Sequence, residues 1–312
     1  NKKLVLNDGI RFQSINLQSN VEDNSFFNLP QTSVKQNSFA VTGNIGIIYT
    51  PVKSTNIKAS VSSGFRAPNI DDLAKIFESN TTARQVIVPN AGLKPEYTYN
   101  FDLTLNQGIA NRVNMELTGY YTLFRNAILK APFKLNGQDS IVYNGVKSQV
   151  LASQNVNKAT LYGFSFALTA DIYKGLVFSS TLSYTNGSFK TDASKTSAVY
   201  EKQANGTYAL VNRNVSSKPL DHIPPLMGKT SISYRHKIFN TELYFLYNGW
   251  KRLHQYNADG EDNAQYATTD GMPGWMTMNW KGNVNVMKHL QVQVGIENIL
   301  DRNYRHFASG FS

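Results

Sequence analysis

Apolar and polar residues alternate along most of this chain, in runs that are long for β-strands. In residues 39–49, for example, every second side chain is apolar or glycine. A period of two residues predicts a strand with one apolar and one polar face. The runs cover about residues 10–18, 39–49, 56–62, 96–107, 112–124, 158–172, 176–187, 227–237, 241–250, 275–286 and 290–300. The sequence therefore predicts an all-β fold of about eleven antiparallel strands.

The connections between these runs alternate between short turns and long loops. Lys174-Gly175 is a two-residue turn, whereas the long loops cover about residues 63–95, 126–157, 188–225 and 252–274. Strands of ~9–11 residues can cross a bilayer, and membrane barrels have short turns on one side and longer loops on the other. We interpret the chain as an antiparallel transmembrane β-barrel. A soluble sandwich or propeller is the alternative, but its strands are typically ~5–6 residues long.

Composition narrows the function classes. The 312 residues carry a net charge of +10 and contain no cysteine, which excludes disulfides and thiolate metal sites. The basic residues are scattered, without zinc-finger spacing or an RNA-recognition motif, which excludes the common nucleic-acid modules. No Ser-His-Asp arrangement, phosphate-binding Gly-rich loop or paired-His motif is present. We therefore predict neither an enzyme nor an intrinsically bound metal or cofactor.

Three motifs distinguish the chain from other β-proteins. Gly64-Phe65-Arg66-Ala67-Pro68 and Pro89-Asn90-Ala91-Gly92-Leu93-Lys94-Pro95-Glu96 flank the first long loop, and Gly295-Ile296-Glu297-Asn298 opens a third motif that ends at His306. Together and in this order they resemble motifs of TonB-dependent outer-membrane receptors. Pro68 restricts its own φ and Arg66 offers a fork of donors, so both suit the ordering of a loop base. We predict a mostly structural role for the motif residues Gly64, Phe65, Arg66, Ala67, Pro68, Pro89, Asn90, Leu93, Lys94, Pro95 and Glu96.

The resemblance implies a 22-stranded barrel in the bacterial outer membrane, with a plug in its lumen. Residues 1–312 would then be the C-terminal portion of the barrel, with the plug, the first half of the barrel and the last strand outside this chain. It also implies energy coupling to a TonB–ExbB–ExbD complex through the absent N-terminal region. Outer-membrane lipid, lipopolysaccharide and a surface lipoprotein are further expected partners.

The implied function is active uptake of a scarce metal chelate, with a ferric siderophore as the expected cargo. Haem and cobalamin are alternatives. In some haem receptors of this family, a histidine between the paired motifs ligates iron, but residues 69–88 contain no histidine. From other functional classes, a passive channel or an adhesion protein remains an alternative.

Ligand-facing residues are expected on the long loops, because these loops would meet a ligand that arrives from outside. Histidine and tyrosine can contact a chelate, and arginine can attract an anionic one. A solvated or lipopolysaccharide-facing role is the alternative for the basic residues. The candidates are Arg84, Arg213, His254, Tyr256 and His306.

Overall fold

A computed structural model describes residues 3–22, 25, 32–74, 77–80, 84–260 and 267–307. In chain order its strands are β1 Leu4–Asn20, β2 Ser33–Tyr49, β3 Thr55–Arg66, β4 Phe77–Asn80, β5 Gln85–Val88, β6 Glu96–Ile109, β7 Val113–Pro132, β8 Ser140–Tyr143, β9 Val146–Tyr173, β10 Leu176–Lys190, β11 Thr196–Lys202, β12 Tyr208–Asn214, β13 Ser217–Pro219, β14 Met227–Arg235, β15 Phe239–Asn248, β16 Lys251–Arg252, β17 Gly271–Met272, β18 Trp275–Met287 and β19 Leu290–Ile296. One short helix, α1, spans Ile70–Ala74, and a 3₁₀ turn spans Leu253–Gln255. No helix in the described ranges is long and apolar enough to cross a membrane.

Eleven of the described strands form one continuous antiparallel path. Their order is β1-β2-β3-β6-β7-β9-β10-β14-β15-β18-β19. Each strand of this path is therefore hydrogen-bonded to the strand of the path that follows it in the chain. Four accessory strands, β4, β5, β8 and β13, join the same sheet near the long connections. This arrangement confirms the predicted all-β antiparallel fold and the strand count.

The register aligns apolar side chains into rows on one face of the sheet. One row crosses six strands through the pairs Tyr49–Ile57, Ile57–Leu105, Leu105–Leu117, Leu117–Phe166 and Phe166–Leu182. Many of these side chains are exposed. Leu103, which lies on the same face of β6 two residues before Leu105, is 59% exposed. Large exposed apolar faces are uncommon on soluble proteins and indicate a surface that something apolar covers.

The opposite face is polar and its side chains are hydrogen-bonded to one another. Thr104 and Thr118 hydroxyls lie 2.9 Å apart on neighbouring strands. Farther along the sheet, Glu242 receives the ammonium groups of Lys229 at 2.7 Å and Lys281 at 2.9 Å. The sheet therefore separates an apolar face from a polar one, as a membrane barrel with a wet lumen requires.

The predicted tight turn at Lys174-Gly175 is confirmed. Tyr173 pairs with Leu176 across it, and the two turn residues have φ values of 38° and 92°. Positive φ at both central positions is typical of the type I′ turn that suits the twist of a hairpin. At Gly175 a side chain would also collide with the Arg235 carbonyl oxygen. Both the positive φ and this close contact therefore require glycine at position 175.

The prediction of a loop over residues 126–157 is wrong for most of that range. β7 continues to Pro132, and β9 already begins at Val146. The alternation is lost there because both faces of upper β9 are buried: Val150 and Leu151 are consecutive, so their side chains point to opposite faces, and they are 0% and 1% exposed. The free edge of this part of β9 is occupied by β5, which pairs with it in parallel. Strands buried on two faces read as continuous apolar runs rather than alternating ones.

A charge placed on the apolar face tests the assignment of the two faces. In the full-length protein in lipid vesicles, we expect Leu103→Lys to lower the free energy of unfolding by ~2–4 kcal/mol, because the ammonium would enter hydrocarbon near mid-height. Denaturant titration measures this change. The matched control is Ser60→Lys, which faces Asp102 across the polar side (Ser60 Oγ–Asp102 Oδ2 3.4 Å) and is expected to be tolerated. Equal losses in both variants would contradict the assignment.

Candidate ligand-binding mouth

The base of the first long loop is joined by one arginine. The Arg66 guanidinium, at the end of β3, contacts Asp72 at 3.3 Å and Glu96 at 3.4 Å. The second carboxylate oxygen of Glu96 accepts the backbone N–H of Ile128 at 2.8 Å. Arg66 therefore links the start of the loop to its end, and Glu96 links that end to β7.

The second motif segment is held against β9 by amide side chains. The Asn155 side chain accepts the Lys94 N–H at 2.7 Å and donates to the Lys94 carbonyl at 2.8 Å. It also donates to the carbonyl of Asn126, which has a φ of 54°. Asn90 donates to the Ser153 carbonyl, and the Ser153 hydroxyl donates to Asp72. These bonds replace a β-ladder for a segment that has no regular partner strand.

Packing fixes the remaining motif residues. A Cβ on Gly64 would collide with the Thr98 hydroxyl, so the approach of β3 to β6 requires glycine there. Pro68 is fully buried. Leu93 is buried with Leu73 and Ile128 in one apolar cluster. The contacts of these motif residues in the structure are thus with other parts of the loop base.

A cleft of about 360 Å³ lies between the upper end of β10, the segment 217–226 and the segment 250–255. Its walls combine apolar, aromatic and cationic side chains. They include Lys218, Leu220, Ile223, Trp250, Lys251 and His254.

Two lysines in this cleft are almost completely buried. Lys218 is 4% exposed and forms an ion pair with Asp259. Lys251 is 2% exposed and donates to the Ile223 carbonyl at 2.7 Å. Its ammonium also lies 4.1 Å from the centre of the Phe307 ring. A buried ammonium needs such partners, because desolvation of an uncompensated charge is costly.

His254 joins the cleft to the hairpin formed by β11 and β12. Its Nδ1 lies 3.0 Å from the Tyr208 hydroxyl, and the two rings stack with centroids 5.6 Å apart. Burial lowers the pKa of His254 below its ordinary value of 6.5, and the nearby charges of Arg252 and Lys202 lower it further. The neutral imidazole is therefore the favoured form in this contact.

The structure brings three of the five predicted ligand residues into one region. His254 and Tyr256 share the 3₁₀ turn region, and the Tyr256 ring is buried with its centroid 6.5 Å from that of Phe307. His306, beside Phe307, packs edge-on against Trp275 with centroids 4.9 Å apart. Their roles in binding stay predictions.

The two predicted arginines lie on other connections. Arg213 pairs with Glu201 at 2.8 Å within the β11–β12 hairpin, which also carries Tyr208. Arg84 is exposed just before β5, and its carbonyl accepts the Gln149 N–H at 2.7 Å. The buried Lys251 was missed by the sequence analysis, since one lysine in a polar loop carries no signal of burial.

Within the described residues, no group of three or more His, Asp or Glu side chains is placed to hold a metal ion. The walls of the cleft contain two buried lysines and the exposed ring of Trp250. Such groups suit an anion or a ring system that arrives intact.

The strand path, its two faces and the long connections define the class as an outer-membrane β-barrel. The family model "TonB dependent receptor-like, beta-barrel" matches residues 1–299, so the chain belongs to this family. This match confirms the resemblance carried by the three motifs. The barrels of this family are bacterial outer-membrane proteins, and they are receptors rather than enzymes.

Two relatives of known name match most of this chain. The "Hemoglobin and hemoglobin-haptoglobin-binding protein" of Haemophilus ducreyi is 23% identical over 284 residues, which are 88% of this chain and 28% of that protein. The "Iron-regulated outer membrane virulence protein" of Vibrio cholerae is 22% identical over 245 residues, which are 78% of this chain and 28% of that protein. The chain thus spans less than a third of these relatives.

Solved structures share the fold at low sequence identity. The copper transporter OprC superposes with a TM-score of 0.71 at 16% identity, over 98% of this chain and 41% of OprC. The siderophore receptor PiuA from Acinetobacter baumannii gives 0.63 at 16% identity, over 98% of this chain and 38% of PiuA. These matches show the fold and leave the ligand open.

Removal of the Asn155 amide tests how the second motif is held. In the full-length protein, we expect Asn155→Ala to leave the Lys94 N–H and carbonyl without their partner and to weaken the local fold by ~1–3 kcal/mol. Hydrogen exchange of the backbone amides in residues 89–96 should accelerate accordingly. Gln154→Ala is the control, because Gln154 bonds the carbonyls of Ala131 and Pro132 instead. Unchanged exchange in Asn155→Ala would contradict the role of Asn155 in holding residues 89–96 against β9.

The lowered pKa of His254 predicts a pH-dependent contact with Tyr208. Because folding favours the neutral ring, the contact is complete above the ordinary pKa of 6.5 and loses stability as the pH falls from there towards the lowered pKa. Substitution of the exposed Lys202 by Gln removes a nearby positive charge and should raise the pKa of His254. An NMR titration of the His254 ring in the full-length protein measures both effects. The charge-retaining Lys202→Arg is the control and should leave the titration in place.

Proposed function

We propose that this chain forms part of the barrel wall and outer loops of a receptor for TonB-dependent uptake of a scarce metal chelate, with a ferric siderophore as cargo. The cleft at the mouth is the observation that carries the proposal. The metal would enter inside its chelate, as cargo and not as a resident cofactor. Receptors of this family work together with the TonB complex, and ExbB and ExbD are the proposed further partners.

The chemistry of the cleft supports an anionic, ring-bearing cargo. The cleft wall holds the ammonium group of Lys251, which donates to the uncharged Ile223 carbonyl, whereas the charge of Lys218 is balanced by Asp259. Trp250 presents an exposed ring at the same cleft, with the Arg252 guanidinium 4.0 Å from its centre. Negatively charged chelates with aromatic groups would find both complementary charge and stacking surfaces there.

Haem is the second candidate cargo. It is favoured by the similarity to the haemoglobin-binding protein of Haemophilus ducreyi and by the position of His254 at the cleft. The absence of histidine from residues 69–88 weakens this candidate. Siderophore and haem differ in their absorbance, so one measurement separates them.

Metal analysis of the full-length receptor, purified in mild detergent and incubated with each candidate in turn, tests the cargo. We expect iron to be retained without a Soret band. Iron with a Soret band would select haem, cobalt would select cobalamin, and copper would select a copper ligand. If no metal is retained after any incubation, the metal-chelate proposal is wrong, although the barrel assignment stands.

Energy dependence tests the mode of transport separately. We expect uptake of the retained chelate into intact cells to stop when the proton-motive force is collapsed, because the implied coupling uses that force. Uptake that continues would indicate a passive channel, and binding without any uptake would indicate an adhesion protein. A porin in the same cells provides the control, since its solute flux needs no energy.

A further inference from the structure

A recess lies in the polar face of the sheet, at the end of the strands that carries the short turns. Its volume is about 740 Å³. The wall is concave there because neighbouring positions of two paired strands carry small side chains, Ser179 and Thr181 on β10 and Ser231 and Ser233 on β14. We call this hollow the lower recess. Hydroxyl groups make its floor polar.

Three cations and one carboxylate line the lower recess. Lys229 and Lys281 both contact Glu242, at 2.7 and 2.9 Å. Arg235 lies at the end of β14 and is exposed. Because the carboxylate balances one of the three cations, the wall keeps two positive charges in excess. The side chains of Lys229 and Lys281 are 38% and 57% exposed, so both cations are accessible from the recess.

The polar face of β6, β7 and β9 carries the opposite charge. Residues 97–109, 113–124 and 159–173 of these strands contain no Lys or Arg. Their charged side chains are three carboxylates, which the register places on the polar face: Asp102, Glu116 and Asp171. Surfaces lined by one sign of charge attract the opposite sign and repel their own. A negatively charged solute in the lumen is therefore drawn to the wall that contains the lower recess.

The lower recess and the cleft at the mouth share strand β10. Residues 184–188 of this strand line the cleft, and residues 179–181 line the recess. Three positions separate Thr181 from Tyr184, which corresponds to ~10 Å along a strand. The beginning of β14 continues the same order, since Leu226 lines the cleft and Lys229 lines the recess. An anion that leaves the cleft thus reaches the recess by a short descent along one wall.

We propose that the lower recess is a transit site for an anionic chelate, which binds Lys229, Arg235 and Lys281 after it leaves the cleft and before it is released beside the short turns. This inference rests on the proposed function, because it requires a negatively charged cargo. A site on a passage must bind strongly enough to be entered and weakly enough to be left. Accessible cations that share one carboxylate in a water-filled lumen meet both demands. An acidic segment of the receptor itself is the alternative occupant.

The rate of iron entry after binding separates the lower recess from the mouth. Cells that express the full-length receptor are loaded in the cold, without energy, with a radiolabelled ferric tris-catecholate, washed and then energised. The amount bound beforehand measures the mouth, and the first-order rate of iron entry afterwards measures the passage. The test variant is Arg235→Gln/Lys281→Gln, which leaves Lys229 to pair with Glu242.

The control variant is Arg11→Gln/Lys58→Gln. It removes the same charge from exposed positions on the polar face of β1 and β3. All variants are expected to bind as much chelate as wild type. At about fivefold for each cation removed, iron entry should be ~25-fold slower in the test variant and ~5-fold slower in Lys281→Gln alone. The control and the charge-retaining Lys281→Arg should keep the wild-type rate. The single variants keep the test valid if the double variant does not fold.

Each contrary outcome has a distinct meaning. Entry at the wild-type rate in the test variant would overturn the transit site and leave the proposed function intact. Equal slowing in the control variant would also overturn it, because charge anywhere in the lumen would then suffice. Leakage of small hydrophilic solutes through the test variant, without slower iron entry, would assign the cations to an acidic segment of the receptor instead. Wild-type receptor that binds no chelate, or admits no iron from it, would refute the proposed function and the transit site together.

Discussion

Backbone hydrogen bonding is the constraint on which the rest of this structure depends. Hydrocarbon offers no partner for an N–H or a carbonyl, and each unpaired group costs several kcal/mol there. The eleven-strand antiparallel path meets this demand with ladder bonds between successive strands. Once the backbone is satisfied, side chains on the two faces can differ completely. On β14, β15 and β18, the apolar row Ile232–Leu243–Trp280 and the Lys229–Glu242–Lys281 network lie on opposite faces.

Above the apolar rows a different set of interactions takes over. Water can satisfy the backbone there, and the connections are held by individual side chains and small apolar clusters. Arg66 and Asn155 join the motif segments to the sheet, while Lys251 ties its own loop to the Ile223 carbonyl. The buried ammonium groups of Lys218 and Lys251 thus hold the walls of the cleft together.

The parts of this architecture that repeat every two residues could be predicted from sequence. The strand path, the turn at Lys174-Gly175 and the family followed from alternation and motifs, because both are local in the chain. The upper parts of β7 and β9 could not be predicted, since burial on both faces removes the alternation. The environment of Lys251 also depends on residues far away in the sequence, such as Ile223 and Phe307. No local sequence pattern predicts contacts between residues that lie so far apart in the chain.

The connections above the sheet are attached in two different ways. Residues 85–88 are bonded into the main sheet through Gln149 to Ala152, so moving them outward would break several ladder bonds at once. By contrast, the β11–β12 hairpin meets the 3₁₀ turn through the Tyr208–His254 contact between side chains. Contacts of that kind can be exchanged one at a time. Displacing the hairpin therefore requires the loss of side-chain contacts alone, whereas displacing β5 requires the loss of a strand ladder.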